Sequence, residues 1–345
     1  MPRSSGIWRR SAQVKRRDFI AGSTSAGLLA CGTSGLLRAA DTQQRDLPVI
    51  GLLDYAWAWR LGGEVSRGLT ESGLTAGRDF RFEQSGWSAR GYRAEHLAQY
   101  AGELVQRHVA LILAFSNQAA AVAKAVTDTT PIVFMADKPA ATDLVDRQTR
   151  PGSNLTGAAI LDSNLVAKRI EIARELVPTA KLVILVTDPT NTPAHDVEIR
   201  EARAAADARG LRLSIIPWSG DGGLEPELAA LPPDHNAVLV FGGGLPFYGR
   251  AAVLAHWAVY YRIPAIHGFR AAADEGGLVS FGTRLEDGAH LMGLYAARIL
   301  KGDKPAELPV GHVTRTELII NSWPAKSLGL ALPATLLARA DEVIR

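Results

Sequence analysis

VALILAFSNQAAAVAKAVTDTTPIVFMADK, residues Val109–Lys138, is the stretch that decides how this 345-residue chain folds. It opens on a run with no polar face, Val109–Phe115, and turns polar at Ser116-Asn117-Gln118. A helical stretch follows, and a second apolar run begins at Pro131-Ile-Val-Phe. Short runs dense in Val, Ile, Leu and Phe are typical of strands buried on both faces of a parallel sheet. A helix between two such runs is the crossover that a parallel pair needs. The series continues through Asn154-Leu-Thr-Gly-Ala and then recurs. Ala237–Phe241, the loop Gly242-Gly243-Gly244, a helix, Pro264-Ala-Ile-His and Gly277-Leu-Val-Ser-Phe repeat it in order.

Working outward, strand runs are expected at Pro48–Leu53, Asp79–Gln84, Val109–Phe115, Pro131–Met135, Asn154–Leu161, Lys181–Thr187, Leu211–Ile216, Ala237–Phe241, Pro264–His267 and Gly277–Phe281. Amphipathic helices separate them. In Ser163–Val177, the positions Val166, Ile170, Ala173 and Val177 form one apolar stripe, with Lys168, Arg169, Glu171, Arg174 and Glu175 assigned to the opposite face; Pro178 stops the run. In Arg284–Leu300, Leu285, Ala289, Met292, Ala296 and Ile299 make the stripe, and Gly302 follows as the cap. Sustained alternation of this kind is doubly wound α/β, and the repeat makes two similar lobes the economical reading. Ligands of open α/β sheets sit beyond the carboxyl ends of the strands, so the loops after strands are the candidate site.

The charge is unevenly distributed. The chain carries 38 Lys and Arg against 35 Asp and Glu, a net charge of +3. Residues 1–40 hold seven of the cations (Arg3, Arg9, Arg10, Lys15, Arg16, Arg17 and Arg38) and one anion, Asp18, which leaves the body near −3. A body without a basic stripe argues against nucleic acid as a partner. No body segment approaches the roughly 18 consecutive apolar residues of a membrane span. The single cysteine, Cys31, lies in the same leading segment, so disulfide, Cys-metal and Cys-nucleophile chemistry is excluded from the body.

That leading segment has the layout of an export signal, with a cationic stretch, a modestly apolar run from Phe19 to Ala30, and a processing region. Arg16-Arg17-Asp18-Phe19-Ile20 resembles the twin-arginine motif, which is read by the export machinery for folded proteins. Two processing outcomes stay open. Leu28-Leu29-Ala30-Cys31 resembles a lipobox, which would make Cys31 a lipidated N-terminus, whereas cleavage near Ala39 or Ala40 would discard it.

Pro48-Val-Ile-Gly-Leu-Leu, Pro131-Ile-Val-Phe, Asn154-Leu-Thr-Gly, Ala167-Lys168-Arg169-Ile170-Glu171 with Glu175-Leu176-Val177-Pro178, and the tail from Leu328-Gly329-Leu330 to Val343-Ile344 resemble the tryptophan/tyrosine-type substrate-binding proteins of ABC transporters. The resemblance covers about residues 15–345. It implies two Rossmann-like doubly wound lobes joined by a three-segment hinge, the type I periplasmic binding protein architecture. Lobe one would be about 47–158 plus 279–306, and lobe two about 159–278 plus 307–345. It also implies a periplasmic protein that closes on a small-molecule ligand, for example an amino acid, and presents the closed form to an ABC permease in the cytoplasmic membrane. An exported α/β enzyme and a ligand sensor for a membrane receptor are the other readings of the same cleft.

Each loop after a strand then offers candidates. Tyr55 or Trp57, after the first strand, could stack on a planar or apolar ligand or pack under the following helix. Ser116, Asn117 and Gln118 open a helix whose free N–H groups suit a carboxylate, and a capping role explains Ser116 or Asn117 equally well. Asp137 could accept an ammonium, pair with Lys138 or cap the next helix. Asp188-Pro189-Thr190-Asn191 stands where the resembled family commonly has Asn-Pro-Asn, and Asp188 adds an acceptor-only carboxylate favouring a cationic or hydroxyl group. Gly244 belongs to a loop allowing close backbone approach, with Phe247 as a wall. The Gly-rich run lacks the third glycine of a dinucleotide fingerprint and the Lys-Ser/Thr of a phosphate loop. His267 could donate to the ligand or serve structure, and Phe281 could line the cleft or fill the core. No catalytic motif, metal-ligand spacing or cofactor fingerprint is present, which does not exclude an enzyme with active-site residues far apart in sequence; a non-enzymatic binding role without cofactor is what the resemblance implies.

Overall fold

The structure, a computed structural model, describes residues 47–345 except 54, 85–95, 146–148, 150, 221 and 232–235, and except the side chains of 55–59, 84, 139, 163, 245 and 246. The segment expected to act as an export signal, with Arg16, Arg17 and Cys31, lies outside the described residues. The strands are β1 Val49–Leu53, β2 Arg81–Gln84, β3 Leu111–Ala114, β4 Ile132–Asp137, β5 Leu155–Ile160, β6 Leu182–Thr187, β7 Arg212–Pro217, β8 Ala237–Phe241, β9 Ala265–His267, β10 Val279–Thr283, β11 Gly311–Val313, β12 Thr316–Asn321 and β13 Glu342–Ile344. The helices are α1 Tyr55–Glu71, α2 Leu97–Gln106, α3 Asn117–Val126, α4 Lys138–Leu144, α5 Val166–Leu176, α6 Ala194–Asp207, α7 Leu224–Ala229, α8 Leu245–Gly249, α9 Ala251–Tyr260, α10 Arg270–Asp274, α11 Leu285–Leu300, α12 Ser322–Leu328 and α13 Ala334–Arg339.

Two sheets form. The first runs β2-β1-β3-β4-β5-β11 and is parallel throughout. The second runs β7-β6-β8-β9-β10-β12-β13, parallel except where β12 returns against β10. The first five strands of both sheets take the same order, so the sequence repeat corresponds to a repeated fold. The central strands are buried along nearly their whole length because helices cover both faces. Side chains alternate accordingly. Leu111 and Leu113 face the layer of α1 and α11, while Ile112 and Ala114 face that of α2 and α3. In the second sheet Ile184, Val186, Leu239 and Phe241 face the layer of α7, α8 and α9. Val183, Leu185, Val238 and Val240 face that of α5 and α6.

The chain passes between the sheets three times: after β5, between β10 and α11, and between β11 and β12. The passages are bonded to each other. Thr283 Oγ1 donates to Leu161 O at 2.6 Å, and Arg284 N to Arg315 O at 2.9 Å. The exchange points differ from the expected ones. Val279–Thr283, expected with the first lobe, is hydrogen-bonded between β9 and β12 in the second sheet. Gly311–Val313, expected with the second, pairs with β5 in the first. The chain crosses at strand ends, where backbone pairing is complete, so a strand stays with the sheet it pairs with.

α1 and α11 pack backbone to backbone through Gly68 and Gly293. A Cβ at Gly293 would fall on Val65 O, and one at Gly68 on His290 O, whereas a Cβ at Gly63 would meet nothing within 4 Å. Alanine gains up to about 1 kcal/mol over glycine in a helix, but overpacking of an unyielding backbone costs about 1–3 kcal/mol. Gly293→Ala is therefore expected to lower the urea midpoint and Gly63→Ala to raise it. Equal shifts would show that the two helices separate freely.

Candidate functional site

The carboxyl ends of the two sheets face each other across a cleft. Ser116-Asn117-Gln118 follows β3, Asp137 ends β4, and Asp162 lies just past β5; from the second sheet come Asp188–Asn191 after β6, Gly242–Gly244 after β8 and His267–Phe269 at the end of β9. A cavity of about 30 Å³ remains between them, walled by Ser116, Asn117, Gln118, Asp137, Asn191 and Gly244 with Phe115, Met135, Ile160, Asp162 and Phe269. Two bonds close it. Asn117 Nδ2 donates to Asn191 Oδ1 at 2.7 Å, and Gln118 Nε2 to Thr190 O at 3.0 Å. A third inter-lobe contact, Arg60 Nη2 to Glu275 Oε1 at 2.8 Å, is half-exposed. Ligand pockets typically enclose ~300–1,000 Å³, about tenfold more, so admitting a solute requires the lobes to part and these few polar contacts to open.

Local chemistry explains how each side chain is held. Ser116 caps α3, its Oγ accepting from Ala119 N at 3.1 Å. Asn117 spans the cleft, because its Oδ1 accepts from Asp137 N at 2.7 Å while its Nδ2 reaches Asn191. Asp188 forms a tight local turn in which Oδ1 accepts from Thr190 N at 2.9 Å and from Thr190 Oγ1 at 2.7 Å. Its Oδ2 is buried without a partner, as is Gln118 Oε1. Burial pushes the Asp188 carboxyl above its usual range, against the opposing pull of the Thr190 bonds and of His195.

Other candidates sit elsewhere. Phe247 is buried against Phe241 and Trp218, with ring centroids 5.9 and 5.8 Å away, and is a core wall rather than part of the cavity lining. His267 stacks on Phe241 at 4.7 Å; burial, then Arg169, lowers its pKa to about 3, so it is neutral near pH 7. The Phe281 ring packs partly buried on the α5 side of the second sheet, while its carbonyl accepts from Arg169. Tyr55 and Trp57 lie in the first turn of α1, and their side chains are outside the described set.

A buried charge cluster beneath the cleft was not anticipated. Arg169, placed by the sequence on the solvent face of its helix, is completely buried. Its Nη2 donates to Asp162 Oδ1, its Nε to Phe281 O at 2.8 Å and its Nη1 to Phe241 O at 3.5 Å. One guanidinium thus joins the first passage, the middle of β10 and the base of the glycine loop. The loop's glycines serve this cluster. A Cβ at Gly242 would strike Glu198, and one at Gly243 would strike Asp162, while Gly243 N donates to Glu198 Oε1. Burial first, and the neighbouring Asp162 next, hold the Glu198 carboxyl well above its usual range. The signal was present in the sequence, since Arg169 falls within the stripe Val166, Ile170, Ala173 and Glu198 within Ala194, Ala202, Ala205. A long polar side chain inside an apolar stripe marks a buried, bonded charge.

A tyrosine-binding protein of Clostridioides difficile (strain R20291) is 23% identical to this chain over 221 residues, 64% of this chain and 63% of the relative. The alignment therefore spans slightly under two thirds of that relative's length. Among solved structures, a conserved domain protein from Vibrio cholerae superposes with a TM-score of 0.75 at 22% identity, covering 87% of this chain and 100% of that one. An ABC domain in complex with L-Trp from Streptococcus pneumoniae gives 0.73 at 19% identity, covering 86% and 100%. These likenesses carry the fold, two doubly wound lobes of the type I periplasmic binding kind. The model of ABC transporter substrate binding proteins matches residues 60–344, and with the facing lobes and the polar cleft between them this places the chain as a member of that family.

Proposed function

We propose that the chain is an exported solute-binding protein that captures a small organic solute of amino-acid size between its lobes and delivers it to an ABC permease for import. The observation that carries this reading is the cleft itself, where buried, incompletely satisfied polar groups from two lobes meet and only a few bonds across the gap must break to open it. A solute bridging the lobes makes contacts in the closed form that the open form lacks, which shifts the population toward closure, and a membrane partner can read that shape. The lobes turn about the three bonded passages. Tyr55 and Trp57, at the start of α1, are the first lobe's aromatic candidates for contact with the solute. The tyrosine and L-Trp named for two relatives support a ligand in the amino-acid size range. No helix among the described residues is long and apolar enough to cross a membrane. The export segment with Arg16 and Arg17 supports a periplasmic location, with Cys31 as the anchor if it is lipidated.

The test is thermal denaturation of the mature chain against a panel of amino acids, amines and carboxylic acids. A ligand at about 100 times its Kd adds roughly 2.7 kcal/mol, or on the order of 5 °C for a chain of this size. A stabilising solute recovered unchanged is the expected result. A solute that is chemically converted would overturn the reading in favour of an enzyme.

A further inference from the structure

The buried ionisable groups around the cleft are mostly of one sign. Asp137, Asp162, Asp188 and Glu198 come from four different segments, and none is more than 5% exposed. Arg169 is the one buried cation among the described residues near them, and it is committed to Asp162. The cavity wall holds no Lys, Arg or His among the described residues. The second observation concerns what is left unsatisfied. Among the buried side-chain atoms left without a partner around the cleft, Asp188 Oδ2 and Gln118 Oε1 are acceptors, while Thr187 Oγ1, His195 Nδ1 and His267 Nε2 belong to groups that can also donate. The Gln118 orientation follows from its partner, since Thr190 O only accepts and must face Nε2. Both side chains bond the same residue, Thr190; Gln118 lines the cavity, and Asp188 stands behind its wall, where its Oδ2 approaches the cavity-lining Gly244. Gly244 keeps that corner of the wall uncovered. A Cβ there would lie 3.0 Å from Asp188 Oδ2, and the loop's φ of +122° is one that side-chain-bearing residues rarely adopt. Among the described residues, no three His, Cys, Asp or Glu side chains converge as a metal site would require, so an organic cation fits the corner better than a metal ion.

We propose that the solute selected by this cleft carries a protonated amine anchored on Asp188 Oδ2, with Gln118 Oε1 as a second acceptor, and that a carboxylate on the solute is not required. The inference rests on the solute-binding reading and narrows its ligand class. An ammonium group has three donors and a positive charge, which matches a buried carboxylate oxygen and a buried amide oxygen left without donors, in a cleft whose described lining holds no Lys, Arg or His. A solute carboxylate would meet the backbone N–H groups at the start of α3 and the Ser116 hydroxyl, with no cation in reach and with the acidic corner opposing it. Solvent-excluded charge-assisted bonds of this kind are the strong ones. His195, on α6, is the titratable neighbour that acts on Asp188 from outside the cleft.

Matched solutes provide the test: tyramine, tyrosine and 3-(4-hydroxyphenyl)propionate; agmatine and arginine; cadaverine, lysine and hexanoate. Each is assayed by thermal shift and then by calorimetry on the mature chain and on Asp188→Asn. The expected result is that the stabilisers are amines, that removing the carboxylate leaves affinity equal or better, and that the deaminated acids do not bind. Asp188→Asn keeps an acceptor for Thr190 and removes the charge, so it should weaken the amine roughly 10- to 100-fold. Stabilisation by the acids, or unchanged amine affinity in Asp188→Asn, overturns the amine assignment and leaves the solute-binding reading standing. If neither these solutes nor the wider panel of amines, amino acids and acids stabilises the chain, the solute-binding reading itself falls, and the amine assignment with it.

Discussion

Arg169→Met is expected to destabilise the protein by about 3–5 kcal/mol, the cost of leaving a buried carboxylate without its counter-charge. The magnitude separates this pair from the other ion pairs of the molecule. Arg60–Glu275 bridges the lobes, yet with a third or more of each side chain exposed it contributes at most about 1 kcal/mol. Arg169 and Asp162 are essentially sealed from water, and the guanidinium also satisfies the carbonyls of Phe281 and Phe241. Removing it strands a charge and two backbone acceptors at once. The double variant Arg169→Met with Asp162→Asn should recover a large part of the loss, because most of the cost comes from the uncompensated carboxylate and not from a favourable pair lost. Urea unfolding of the two single variants and the double gives the coupling directly. Additive losses would show that the pair does not act as a unit. The same variants bear on closure, since Arg169 fixes the first passage, β10 and the base of the glycine loop relative to one another. Solute affinity in the double variant should fall even where stability is regained.

The strand pattern was legible because a parallel sheet covered on both faces leaves a simple trace, and each of the ten strand runs read from the sequence overlaps a strand, with β4, β7 and β10 running one or two residues past the expected end. β11 and β13 escaped because three residues carry no periodicity, and their existence depends on partners far away in the chain. β12 has a readable apolar run, Leu318-Ile-Ile, but its antiparallel return against β10 is set by the third passage and not by local preference. For the cleft, position relative to strand ends was informative. Ser116, Asn117, Gln118, Asp137, Asn191 and Gly244 do meet around one cavity. Side-chain direction was not available in the same way. Phe247 follows a glycine loop, yet it turns into an aromatic layer with Trp218 and Phe241, where burial of a large ring outweighs exposure. The acidic members Asp162 and Glu198 were overlooked because charge was read as a solvent signal. In a stripe of buried alanines, the same residue type signals the opposite.

The acid limb of the stability curve is expected to depend on one histidine. His267 has a folded pKa of about 3, lowered by burial and then by Arg169, against about 6.5 in the unfolded chain. Above pH ~6.5 the ring is neutral in both states and changes nothing. Between about 6.5 and 3 the unfolded chain takes up a proton that the folded one refuses. Stability therefore declines as pH falls, by as much as ~1.4 kcal/mol per unit and about 5 kcal/mol in all. Glu198 acts in the opposite window. Its folded pKa is raised, so it is uncharged in both states below about 4.5, and as pH climbs from there to its folded value the unfolded chain gains by ionising. His267→Gln loses the stack on Phe241 at every pH, a constant offset, but should flatten the slope of unfolding free energy between pH 4 and 6.5. Glu198→Gln keeps an acceptor for Gly243 N and should gain stability over wild type as pH rises from 5 to 8. Urea titrations at half-unit intervals read both slopes. Parallel curves for wild type and His267→Gln would mean that the folded ring takes up its proton as readily as the unfolded one, and would overturn the burial argument. The contrast between the two variants then fixes which buried group shapes each limb, independently of the exposed carboxylates that all three proteins share.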